Sequence, residues 1–138
     1  MLAGMSETSD EKTLAEAVDA LADRFRAMPQ SRLLGAVPGH PSRAAAGLAL
    51  ARWLAEAARA AEAVRVDGGA DGVPAHELPD VGVFAVGDQL AVVGHDLAAA
   101  LAALPGDAAV ALPDGPPVAA GAVRAMAVRR LVEASAAL

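Results

Sequence analysis

Leu14, Val18, Leu21, Phe25 and Met28 recur in steps of four, three, four and three residues. Only a helix keeps such a series on one face. Any fold for this chain must therefore bury one side of a long helix, with Glu16, Asp19, Asp23, Arg24 and Arg26 turned away. The sequence Thr8-Ser9-Asp10-Glu11 reads as a capping box with an acidic first turn, and Pro29 closes the segment. A helix from near Ser9 to before Pro29 is predicted, with residues 1–8 as a disordered tail. The seam serves as an ordinary core face or, at two heptads, as a contact between two copies.

What can pack against that seam is limited by composition. Hydrophobic residues make up 55% of the chain but aromatics only 2%, and the larger apolar side chains are almost all Leu and Val. Elements must therefore approach closely. Ile, Asn, Tyr and Cys are absent and Lys12 is the single lysine, a bias toward GC-rich codons that points to a high-GC bacterial genome. Without cysteine there is no disulfide, thiolate nucleophile or Cys-ligated metal, and the expected compartment is the cytoplasm. At 138 residues the chain fits a single domain spanning 1–138, burying roughly two-thirds of its unfolded surface. The net charge of −6 disfavours a nucleic-acid partner. Met1 to Lys12 has no basic n-region or apolar h-region, so no secretory signal is expected. Uncharged runs such as Gln89 to Gly94 and Leu97 to Gly106 stop short of the about 20 apolar residues of a membrane helix.

Further along, Ser42 is placed to cap a second helix running to about Val64, where Arg52 and Glu56 have i,i+4 spacing. Residues 67–80, rich in Gly, Pro and acid, read as a flexible internal connection. Val83 to Val86 and Gln89 to Val93 then flank Gly87-Asp88, the pattern of a two-residue hairpin with both faces apolar. A helix from Asp96 to Leu104, a short strand in Ala108 to Leu112, and a last helix led by Pro117 complete the chain. The fold class predicted is α/β (α+β): two N-terminal helices, then a hairpin, a helix, a short strand and a C-terminal helix around a small sheet.

Gly94-His95-Asp96-Leu97-Ala98, between that predicted strand and helix, resembles the nucleophile elbow of the α/β-hydrolase superfamily in its haloalkane dehalogenase and epoxide hydrolase branch. The resemblance implies Asp96 as a nucleophile that forms an ester intermediate, with His95 beside it. It covers only these few residues, and Ala98 replaces the motif's second glycine. The family's general-base histidine follows the nucleophile, whereas the histidines here are His40, His76 and His95. Asp96 is accordingly expected to act as a helix cap. The histidines, with Glu77 and Asp96, lack H-x-H or i,i+4 spacing, so no metal site is predicted. No P-loop, dinucleotide or serine-hydrolase motif implies a cofactor.

Three functions follow, in order. The first is a non-enzymatic interaction or oligomerisation module that meets a second copy or another protein through Leu14, Val18, Leu21, Phe25 and Met28 or through Val92 on the hairpin. The second is a small-molecule-binding domain with a pocket between helical half and hairpin, lined by Trp53, Phe84 and His95. The third is a hydrolase-like enzyme using Asp96 or His95.

Overall fold

A computed structural model describes residues 2–65, 78–113 and 115–138, the side chains of 2–13 and of Arg65 excepted. Most of the predicted connection at 67–80, with His76 and Glu77, lies outside the described residues. The elements are α1 (Leu2–Arg26), α2 (Gln30–Leu33), α3 (Arg43–Arg65), a 3-10 turn (Val83–Ala85), α4 (Val86–Ala102), β1 (Ala109–Val110), β2 (Val118–Ala119) and α5 (Ala120–Ala137). The described residues are predominantly helical. The predicted α/β sheet is thus corrected to a helical fold carrying one small antiparallel hairpin, with Ala109 paired to Ala119 and Val110 to Val118.

The decisive difference lies at Val83 to Val93, where a hairpin was expected and a continuous helix stands. Val86, Leu90, Val93, Leu97 and Leu101 are buried at steps of four, three, four and four, the same period that marks α1. Gly87 and Gly94 are not turn residues but contact points. A Cβ on Gly94 would lie 2.5 Å from a Val18 methyl, and one on Gly87 2.9 Å from the Ala22 carbonyl oxygen. Two glycines one heptad apart therefore let α4 run close along α1, Gly87 near its C-terminal end and Gly94 further back, which makes the two helices antiparallel.

α4 packs on α1 and α3, while α5 covers α1 and the edge of α3, so the long helices form a ring in the order α1, α4, α3, α5. α3 turns Ala44, Leu48, Ala51, Leu54, Ala58 and Ala61 into the core, and these small side chains permit the close approach that composition demanded. No polar or charged residue is buried as a whole among the described residues. Ser42 caps α3 as predicted, its hydroxyl accepting from the Ala45 N–H at 3.0 Å. The backbone of α1 is already helical from Leu2, upstream of the capping sequence. The strand expected in Ala108 to Leu112 is β1, but its partner β2 follows Pro117, so α5 starts three residues later than Pro117 would set it. The Ala120 and Gly121 N–H groups donate to the Ala108 and Gly106 carbonyls at 2.8 and 2.9 Å, which fixes that start.

As one helical unit, Val83–Ala102 has the length and composition of a membrane-crossing segment, with mean hydropathy 1.2. The separate runs seen in the sequence did not reach that length. Here its apolar stripe is covered by α1 and α3 while Asp88, Val92, His95 and Asp96 stand exposed. That arrangement is compatible with a soluble protein.

Candidate functional site

A groove of about 600 Å³ lies between α3, α5 and the loop ahead of α3. Its floor is a second stripe of α3, Arg43, Ala46, Gly47, Leu50 and Trp53, at helical spacing and distinct from the core-facing stripe. Small residues in the middle hollow the surface, with a cation at one end and an indole at the other. Ten residues separate those ends, about 15 Å of helix rise. Phe25 closes the bottom, and Ala134, Ala137 and Leu138 form the α5 wall. At the rim, Val37-Pro38-Gly39-His40 folds into a turn in which the His40 N–H donates to the Val37 carbonyl at 3.1 Å. Gly39 takes φ 84° there, the left-handed position that follows proline in a type II turn. This turn sets His40 on the groove.

Two arginines give the groove its electrostatics. The Arg130 guanidinium lies 4.4 Å from the centroid of the Trp53 ring, a cation–π contact at the mouth. Arg43 is held differently: its Nη1 donates to the Arg32 carbonyl at 3.1 Å, and its Nε is buried with no hydrogen-bond acceptor among the described residues. A Cβ at Gly35 would approach Arg43 Nη1 to 2.7 Å, so the guanidinium position depends on glycine there. The Arg43 N–H in turn donates to the Gly35 carbonyl at 2.9 Å. Glu133 lines the same groove, but no carboxylate lies within ion-pair distance of Arg43 or Arg130 among the described residues. Arg43 and Arg130 thus line the groove with Glu133 and Leu138, whose main-chain oxygen accepts from Arg32 Nη2 at 3.0 Å.

The residues singled out in the sequence fall in three places. Trp53 is in the groove, but Phe84 and His95 are not: Phe84 is 65% exposed on the 3-10 turn, and His95 is on the outer side of α4. Its Nε2 lies 2.7 Å from Asp19 Oδ1 of α1, an exposed pair that clasps the two helices. The hairpin that was to bound the predicted pocket is a helix, and of its three predicted lining residues only Trp53 lines this groove. Asp96 is exposed in the middle of α4, so it caps nothing, and the strand-to-helix elbow that the hydrolase resemblance requires is absent. Leu14, Val18, Leu21, Phe25 and Met28 are at most 8% exposed inside the single chain. They hold α1 against its neighbours, and their area is spent within the monomer. Val92 remains on the surface at 62% exposure.

Arg43, Arg130 and His40 were missed as site residues. The signal for Arg43 was present in its i,i+3,i+7,i+10 register with Ala46, Leu50 and Trp53; nothing local marks Arg130, which reaches Trp53 only through the docking of α5. Among the described residues no three His, Asp or Glu side chains converge as a metal site. Comparison with protein-family models, curated proteins and solved structures finds no match to this chain.

Proposed function

We propose that the chain is a non-enzymatic small-molecule-binding module of the cytoplasm, with the groove along α3 as its site. The observation that carries this reading is a depression of about 600 Å³ whose walls are mostly apolar and whose few polar groups converge on it. Small-molecule sites occupy roughly 300–1,000 Å³ and have this mixture of apolar lining and sparse orienting groups. The interaction-module reading loses its main support because the α1 seam is consumed in the core. The test uses Trp53, the single tryptophan, whose indole N–H gives one resonance in a nitrogen–proton correlation spectrum. Small amphiphiles are expected to move that resonance saturably in the native chain and not in Ala46→Leu, which fills the floor from a half-buried position. Movement that persists unchanged in Ala46→Leu would refute the reading.

A second reading, contact with another copy of the chain, draws on Val81, Phe84 and Val92, all more than half exposed where the chain enters and runs along α4. Sedimentation velocity decides it: a dimer that Phe84→Ser or Val92→Asp dissociates would support this reading, and a monomer at all concentrations would end it.

A further inference from the structure

We infer that the ligand class of the groove is an elongated amphiphile with one anionic head, such as a medium-chain carboxylate, the head at Arg43 and the apolar body laid toward Trp53. This rests on the small-molecule reading of the groove. Arg43 carries the assignment of the head. One of its nitrogens is anchored on the Arg32 carbonyl, while its buried Nε has no acceptor among the described residues. Arg43 lines the groove, and beyond the Arg32 carbonyl its terminal guanidinium nitrogens have no acceptor among the described residues, so they are the donors left for a ligand anion. A carboxylate meets the edge of a guanidinium through two parallel hydrogen bonds, the geometry that an anchored arginine with spare donors offers.

The body of the ligand follows from the floor. Beyond Arg43 the stripe continues through Ala46 and Leu50 to Trp53, with no ionisable side chain on the α3 floor between the two ends. An apolar chain on the order of 10–15 Å matches that helix rise. At the far end Arg130 is already engaged on the Trp53 face, and Glu133 stands on the same helix, so a second anionic group is not required there.

The experiment titrates octanoate and 1-octanol into the full chain by calorimetry, with the Trp53 indole resonance as the site-specific readout. Octanoate is expected to bind at least about tenfold tighter than 1-octanol, the span of a charge-assisted hydrogen bond. Arg43→Gln should reduce that ratio to near one by weakening octanoate alone, and Arg130→Gln should leave most of it. If Arg43→Gln loses its far-UV circular dichroism, Gly35→Ala replaces it, because the added methyl displaces the guanidinium while keeping its charge, and should again weaken octanoate selectively. Equal binding of both probes, or a preference that survives displacement of Arg43, overturns the head assignment and leaves the groove reading standing. Failure of both probes to bind at millimolar concentration overturns both.

Discussion

Gly94→Ala is the sharpest test of how α1 and α4 meet. An alanine in a helix interior is favoured over glycine by about 1 kcal/mol, so on an exposed helix the change would stabilise. At this position the added Cβ would stand 2.5 and 2.6 Å from the two Val18 methyls and 3.1 Å from Val18 Cβ. Rotating the valine cannot remove the last contact, and a β-branched side chain in a helix has essentially one comfortable rotamer. The helices must therefore separate or strain. Overpacking of this kind costs about 1–3 kcal/mol, so the net expectation, after the propensity gain of about 1 kcal/mol, is a loss of up to about 2 kcal/mol. Urea unfolding followed by circular dichroism should show a lower midpoint with an unchanged slope, and the melting temperature should fall by about 3–4 °C for each kcal/mol lost in a chain of this length. Val18→Ala removes both methyls and alone costs about 2 kcal/mol through the cavity it leaves. In the double variant the two changes relieve each other, and a coupling of at least about 1 kcal/mol is expected. A Gly94→Ala that stabilises by the full propensity gain of about 1 kcal/mol, or strict additivity in the cycle, would refute the close approach of α4 to α1.

Ser42→Ala should destabilise by about 1 kcal/mol in the same urea assay, because the Ser42 hydroxyl is the acceptor that caps α3. Asp96→Asn should change stability by less than about 0.5 kcal/mol, since an exposed mid-helix carboxylate caps nothing; a loss of cap size would restore the helix start predicted there from sequence. Leu21→Ala removes a side chain with no exposed surface and should cost about 2–5 kcal/mol, with cooperative unfolding retained. Val92→Asp, by contrast, should fold with near-native stability as judged by its melting curve, because Val92 points to solvent.

The contrast between α1 and α4 explains what the sequence disclosed. In α1 the buried positions are large and the intervening ones charged, so the helical period stands out against a polar background and its core face was legible residue by residue. In α4 the buried stripe has the same period, but Ala91, Val92 and Ala98 lie between its members and the polar residues come in two adjacent pairs, Asp88-Gln89 and His95-Asp96, rather than as a polar face. Short apolar runs between such pairs read equally well as strands or as a helix, and Gly87-Asp88 tipped the reading toward a turn. The physics of this composition argues the other way. With few aromatics and no isoleucine to fill wide gaps, helices must come close, and glycine on a helix is what permits it. Gly87 is seven residues before Gly94, both are buried against α1, and Asp88 in the first turn is an acid where the helix dipole favours one. Asp88 also accepts from Arg26 Nε at 2.8 Å, a bond that only the antiparallel run of α1 and α4 can make. The same ambiguity hid the groove, whose cationic end on α3 looked like one more solvated charge until α5 and the Val37 to His40 turn closed around it. In an alanine-rich chain, then, a seven-residue spacing of glycines within an apolar run is better evidence for a helix crossing than a Gly-Asp pair is for a hairpin.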